Sequence, residues 1–94
     1  MEEQAKKIAE LLKILANEHR LLILCALIKG PLTVGEIHKF TPNITSSALS
    51  QHLNQLKTAG ILSSEKLGMN VEYRIYDQRV TALIGAIKEH YCGE

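Results

Sequence analysis

The spacing of apolar residues changes at Gly60, and this change constrains the fold more than any other feature of the sequence. Before Gly60, apolar residues such as Leu53 and Leu56 recur every three or four positions, which is the period of an amphipathic helix. After it, residues such as Tyr73 and Ile75 alternate with polar ones, which is the period of a β-strand. The chain is therefore predicted to be mainly α with one small β-hairpin.

Capping residues and helix breakers divide the chain into segments. The predicted segments are a helix from Glu2 to Ala16, a helix from Glu18 to Ile28, a short helix opened by the capping-box pair Thr33 and Glu36, a helix capped by Thr45 and ending near Ala59, a hairpin with strands over 61–67 and 71–76, and a last helix capped by Asp77. The predicted order is α1-α2-α3-α4-β-β-α5.

Length and composition predict a single domain over residues 1–94. The longest apolar run, Leu21 to Ile28, is far shorter than the roughly 20 residues that cross a bilayer, and "MEEQAKK" lacks the apolar region of a signal peptide. We therefore expect a cytoplasmic protein with no membrane contact. Cys25 and Cys92 form no C-x-x-C pair, which argues against a disulfide scaffold and against a self-contained zinc site.

Charge is distributed unevenly although the net charge is only +1. Residues 37–64 contain no Asp or Glu, so this stretch offers a surface without groups that repel phosphate. A short helix, a turn, a longer helix and a hairpin follow one another in the order of a winged helix-turn-helix, whose second helix enters the DNA major groove. The weak overall charge predicts modest non-specific binding to DNA.

One side of the helix that follows Thr45 is polar and uncharged. Such side chains reach base edges and phosphates, and we predict contacts with double-stranded DNA. The candidate DNA-binding residues are Ser46, Ser47, Ser50, Gln51, His52 and Lys57, with Lys66 and Arg74 from the hairpin. The alternative interpretation is a helix face that is merely solvated.

The first and last helices carry apolar stripes that are longer than one small core readily covers. We expect them to pair between two chains in a symmetric homodimer, with two reading helices roughly 34 Å apart on a palindromic operator. In the alternative interpretation, both stripes cover the core of their own chain.

Three stretches together resemble one protein family. They are "LLKILANEHRLLILCALIKGPLTVGEI", "SSALSQHLNQLKTAGIL" and "EYRIY", and they are similar to the ArsR/SmtB family of dimeric winged-helix bacterial repressors. The resemblance covers nearly the whole chain. It implies that Ser46, Ser47, Ser50, Gln51 and His52 occupy DNA-reading positions and that the hairpin from Lys66 to Arg74 is the wing.

"LLILC" and "HYC" resemble the BigR/HlyU-type branch of this family, which senses persulfides through thiols. This resemblance implies that Cys25 and Cys92 join in a disulfide or polysulfide bridge when reactive sulfur species or oxidants are present, and that the bridged repressor leaves its operator. A cysteine inside an apolar helix also behaves as a small buried hydrophobe, which is the alternative for Cys25.

Other functions remain open at this point. The arsenic-sensing members carry C-x-C in the first helix of the motif, and the matching "TVGEIHKF" has no thiol. Asp77 and His90 fall in register with zinc ligands of other members, so a metal-responsive repressor using Asp77, His90 and Cys92 is one alternative. A winged-helix module that only assembles proteins is another. No nucleophile, base and orienting acid occur together, so we predict neither an enzyme nor a bound cofactor.

Overall fold

The computed structural model describes residues 1–91; the prediction for Cys92 falls outside them. The elements are α1 (Glu2–Leu15), α2 (Glu18–Leu27), β1 (Leu32–Thr33), α3 (Val34–His38), α4 (Ser46–Thr58), β2 (Leu62–Leu67), β3 (Asn70–Ile75) and α5 (Gln78–Tyr91). The predicted winged helix-turn-helix with five helices is confirmed. Its helix ends differ from the predicted ones by one or two residues.

Side-chain caps define where the helices begin. The Asn17 side chain accepts hydrogen bonds from the backbone N–H groups of His19 and Arg20 at the start of α2. Thr33 and Glu36 form the predicted capping box of α3, and the Thr45 hydroxyl accepts from the backbone N–H of Ala48 at 3.1 Å in α4. These local bonds satisfy amides that have no partner inside a helix.

The sheet has three antiparallel strands in the order β1-β3-β2, where only a hairpin was predicted. β1 is just Leu32–Thr33, and Leu32 pairs with Tyr73. Two residues are too few to show alternation, which is why the sequence did not reveal this strand. We call the hairpin of β2 and β3 the wing; its turn contains Gly68 with φ of 64°. This left-handed conformation is strained for other residues.

One apolar core lies between α2, α4, α5 and the base of the wing. The fully buried side chains include Ile23 and Leu24 of α2, Leu49, Leu53 and Leu56 of α4, and Val80 and Ile84 of α5. All three leucines of α4 point inward, as the helical spacing predicts. The same helix therefore has one face held by the core and one face turned to solvent.

Helix α1 contributes one side chain, Leu15, to this core, and Leu11 and Ile14 are partly buried against it. Leu15 is its only buried residue, while Ile8 and Leu12 are 55% and 49% exposed. Leu22 of α2, predicted to lie in a largely buried helix, is 41% exposed. Apolar side chains thus remain uncovered on this side of the protomer. Within residues 1–91, no helix combines the length and apolar character needed to span a membrane.

Candidate nucleic-acid interface

The outer face of α4 carries a continuous set of small polar side chains. We call it the polar row: Ser46, Ser47, Ser50, Gln51 and Asn54, all exposed. The row lies opposite the buried leucines of the same helix, so the core fixes its orientation. It contains hydrogen-bond donors and acceptors and no charge, a combination that suits the edges of bases in a groove.

The turn between α3 and α4 is held by hydrogen bonds that the sequence did not reveal. His38 Nε2 lies 2.9 Å from the carbonyl oxygen of Ile44, which links the end of α3 to the residue just before the α4 cap. Thr41, within the turn, is only 1% exposed. The His38 hydrogen bond and the buried Thr41 together fix the angle between α3 and α4.

His52 does not belong to the polar row. It is half-buried on the side of α4 that faces α2, where its Nδ1 accepts a hydrogen bond from Arg20 Nε at 3.1 Å. Its ring centroid lies 5.9 Å from that of His19. Loss of water around the ring, followed by the charges of Arg20 and His19, lowers the pKa of His52 from its ordinary value. The family resemblance placed His52 among the DNA-reading residues, and that role stays a prediction.

Arg20 is the residue of this region that the sequence analysis missed. Besides His52, its guanidinium donates to the carbonyl oxygen of Ile14 at 3.1 Å and to the side-chain oxygen of Gln55. The available signal was the pair "HR" at the start of an otherwise apolar helix. That signal does not say which distant residues Arg20 contacts.

The predicted phosphate-binding residues are distributed between α4 and the wing. Lys57 Nζ donates to the hydroxyl of Ser64 at 2.7 Å, which ties the end of α4 to β2. In the strand register, Lys66 pairs with Val71, whereas Arg74 pairs with Ser63. Because side chains alternate along a strand, Lys66 and Arg74 project from opposite faces of the wing.

Arg74 lies between two carboxylates. Its Nη2 is 3.5 Å from Glu65 Oε1 and 3.7 Å from Glu72 Oε1. The structure thus places a cation of the wing beside two acids, a neighbourhood that sequence charge counts do not show. Lys66, on the other face, is exposed.

The residues of the metal alternative are not brought together. Asp77 accepts hydrogen bonds from the backbone N–H and the guanidinium of Arg79, and these contacts lower the pKa of Asp77. His90 lies near the opposite end of α5. Among residues 1–91, no three His, Cys, Asp or Glu side chains are arranged to hold a metal ion.

Cys25 is half-buried in an open apolar groove of about 670 Å³. The groove runs between α2 and α5, and its walls include Leu21, Leu22, Ile84 and Ile87. Cys25 therefore lies on the side of α2 that faces α5, the helix that leads towards residue 92.

Comparison with known proteins agrees with this architecture. The model of the bacterial regulatory proteins of the arsR family matches residues 17–64, from the cap of α2 into β2. The transcriptional activator HlyU of Vibrio cholerae is 39% identical over 92 residues, which are 98% of this chain and 84% of that protein. The biofilm growth-associated repressor of Xylella fastidiosa is 31% identical over 94 residues, which are 100% of this chain and 82% of that protein.

Solved structures show the same similarity. Reduced HlyU from Vibrio cholerae superposes with a TM-score of 0.90, covering 98% of this chain and 96% of that chain at 39% identity. The transcriptional repressor BigR from Xylella fastidiosa superposes with a TM-score of 0.89, covering 100% of this chain and 95% of that chain at 31% identity. A homodimeric winged helix-turn-helix DNA-binding domain from Mycobacterium bovis superposes with a TM-score of 0.77, covering 95% of this chain and 89% of that chain at 27% identity.

These relatives are transcription regulators and not enzymes, in agreement with the sequence-based prediction. The predicted similarity to BigR and HlyU is likewise confirmed. Family model, sequence relatives and superposed structures all agree with the helix-turn-helix and wing described above, and the chain therefore belongs to the arsR family of bacterial regulatory proteins.

Proposed function

We propose that this protein is a transcriptional repressor that binds a palindromic operator as a homodimer and acts in the bacterial cytoplasm. Residues 1–94 would act as one domain, with α4 in the major groove of double-stranded DNA. The observation that carries the proposal is the polar row, an exposed and uncharged hydrogen-bonding surface on a helix fixed by the core. Residues of these types read base edges and contact phosphates.

Several side chains would assist the polar row. Lys57 lies at the end of α4 next to β2, and Lys66 is exposed on the wing, so both are available to phosphates. Arg74 would first have to leave Glu65 and Glu72. His52 would act from inside the helix-turn-helix, because it faces α2.

The exposed apolar side of α1 supports the homodimer. Ile8 and Leu12 are about half exposed, and Leu22 and Tyr91 add apolar surface from α2 and α5. A second copy of the chain would cover these side chains by two-fold pairing, which also gives two α4 helices for two operator half-sites. The Mycobacterium bovis domain of the same fold is homodimeric.

Selection of duplexes from a randomised pool tests this function. The protein should enrich a palindromic sequence, and affinity for it should fall with rising salt. Gln51→Ala should weaken binding to the selected duplex about tenfold, since a lost base contact costs roughly 1–3 kcal/mol. Gln78→Ala, the same change at an exposed position in the first turn of α5, is the matched control and should bind normally. Affinity insensitive to both salt and Gln51→Ala would indicate a module for protein assembly instead.

We further propose that Cys25 and Cys92 sense reactive sulfur species. The Cys25 thiolate would attack the outer sulfur of a persulfide RSSH, which releases RSH and leaves a persulfide on Cys25. The Cys92 thiolate would then displace H₂S and form a disulfide; if both cysteines carry persulfides, loss of H₂S gives a trisulfide instead. RSSH is the oxidant in each case.

Two observations support a thiol switch. Cys25 lies half-buried in the groove between α2 and α5, so a bridge from it to the end of α5 would change how those helices pack. The similar HlyU structure is that of reduced HlyU. By changing the packing of α2 and α5, a bridge would alter the spacing of the two α4 helices and release DNA.

Intact-mass measurement after treatment with a hydropersulfide donor tests the switch. We expect an intact mass lower by two hydrogens for a Cys25–Cys92 disulfide, with one further sulfur for a trisulfide, together with loss of the selected duplex. Cys25→Ser should remain on DNA under the same treatment. Release of DNA by Cys25→Ser, or the lack of any bridged product, would contradict this half of the proposal. Asp77 is held by Arg79, so no observation favours the metal alternative.

A further inference from the structure

Arg20 contacts α1 and α4 with a single guanidinium. Its Nη1 donates to the carbonyl oxygen of Ile14 in the last turn of α1, at 3.1 Å. Its Nε donates to His52 Nδ1 at 3.1 Å, and its Nη2 donates to the side-chain oxygen of Gln55. His52 and Gln55 lie one turn apart on the side of α4 that faces α2. The three acceptors use all three nitrogens of the side chain.

The contact with Ile14 is important because only the C-terminal end of α1 packs against the core, through Leu11, Ile14 and Leu15. Leu15 is the only buried residue of α1. The last carbonyls of a helix have no partner inside it, and the negative end of its dipole favours a cation. Arg20 satisfies one of those carbonyls and places its charge at that end of α1.

The contact with His52 requires a neutral ring. Because Arg20 Nε carries the donated proton, His52 Nδ1 must offer a lone pair, and the ring proton lies on Nε2. The charged or titratable groups that act on His52 are Arg20 and His19, both from α2. A proton on Nδ1 would replace this hydrogen bond by two adjacent cations.

We infer that Arg20 is a positioning residue, which fixes α4 against the junction of α1 and α2 through the neutral His52 ring. In the DNA-bound dimer, this contact sets the spacing of the two α4 helices. This inference rests on the proposed DNA-binding function. Lysine cannot replace Arg20 here, since an ammonium group lacks the planar set of donors that reaches three separate acceptors.

The first test uses the full-length protein without DNA. Long-range ¹H–¹⁵N spectra of the histidine rings should show that His52 is in the Nε2–H tautomer at pH 8. In Arg20→Met, this tautomer preference should weaken and the pKa of His52 should rise. Arg79→Met, which removes an exposed arginine held by Asp77 at the start of α5, should leave the His52 spectrum unchanged.

The second test measures affinity for the duplex selected by the wild type and for a scrambled duplex of equal length. Three variants should bind the selected duplex about tenfold more weakly than the wild type: Arg20→Met, Arg20→Lys and His52→Leu. Their affinity for the scrambled duplex should change little. The double variant Arg20→Met/His52→Leu should lose no more affinity than Arg20→Met alone, because that change already removes the contact with His52. Arg79→Met should bind as the wild type does.

His52→Asn is the conservative variant. The Asn side-chain oxygen can occupy the place of Nδ1 and accept from Arg20, so this variant should bind the selected duplex within about threefold of the wild type. If His52→Asn loses as much affinity for the selected duplex as His52→Leu does, while Arg20→Met binds it normally, His52 reads DNA directly and the inference is wrong. If Arg20→Lys binds normally, charge alone suffices and the inference is also wrong.

The two proposals fail in different ways. A wild-type protein that enriches no duplex overturns the DNA-binding function. An unchanged His52 spectrum in Arg20→Met overturns the positioning role whether or not DNA binds. Circular dichroism identifies any variant that does not fold. Arg20→Lys then replaces Arg20→Met in the spectra, where the preference for the Nε2–H tautomer should again weaken.

Discussion

Glu65 and Glu72 lie directly opposite each other on the two strands of the wing, and Arg74 bridges their carboxylates at 3.5 and 3.7 Å. Like charges at such a pair repel each other, and Arg74 offsets the repulsion. The same bridge keeps the Arg74 guanidinium next to acids that would repel a phosphate. The wing is therefore less attractive to DNA than its two basic residues suggest.

Glu72→Gln should increase affinity for duplex DNA. The change removes one acid beside Arg74, and a partly exposed ion pair contributes about 0.2–1 kcal/mol, so a gain of up to about fivefold is expected at low salt. Fluorescence anisotropy over a salt series measures it. Glu2→Gln, at the start of α1, changes net charge equally and should give a smaller effect. Unaltered affinity in Glu72→Gln would show that the wing does not approach phosphates.

Leu12→Asp should convert the dimer to a monomer. Leu12 is 49% exposed on α1, where the second copy is proposed to pack, and a buried unpaired carboxylate is costly. Loss of the second half-site should reduce affinity for the selected duplex by about tenfold or more. Light scattering measures the mass. Leu67→Asp, on a wing residue that is 44% exposed, is the control and should remain dimeric. A dimeric Leu12→Asp would place the interface elsewhere.

Thr45→Ala should destabilise the protein by about 1 kcal/mol, because the Ala48 amide loses its capping hydroxyl. Urea unfolding at fixed protein concentration measures this free energy. Thr58→Ala, at the exposed end of the same helix, should change it by only a few tenths of a kcal/mol. Equal effects of the two substitutions would mean that the cap does not stabilise α4.

The free energy of unfolding should fall as the pH falls below 6.5. The pKa of His52 is lowered from 6.5 in the folded protein, first by loss of water around the ring and then by Arg20 and His19. The unfolded chain therefore takes up a proton before the folded one does, and stability is lost until the pH is below the folded pKa. Above 6.5 this contribution is fully present.

His52→Asn isolates this effect from that of the other histidines. It keeps an acceptor for Arg20 and cannot be protonated, so its stability should decrease less between pH 7.5 and 5. Urea unfolding at several pH values measures the difference between the two proteins. Parallel curves for wild type and His52→Asn would contradict the lowered pKa.

Much of the fold was accessible from residues close together in the chain. The Thr33 and Glu36 capping box, the inward leucines of α4 and the strand β3 each depend on spacing over a few positions, and all were predicted correctly. The same spacing placed the polar row on one face of α4. Which base edges or phosphates these side chains contact stays a prediction.

Contacts between segments that are distant in the chain could not be predicted from local residue spacing. β1 forms because Leu32 meets Tyr73, Arg74 meets Glu65 through strand register, and His52 meets Arg20 because α2 lies beside α4. Helical spacing assigns a side chain to the core or to solvent, but a residue at the border between the two takes its role from the neighbouring helix. Packing of the core brings these residues together, and the hydrogen bonds and ion pairs follow from that packing.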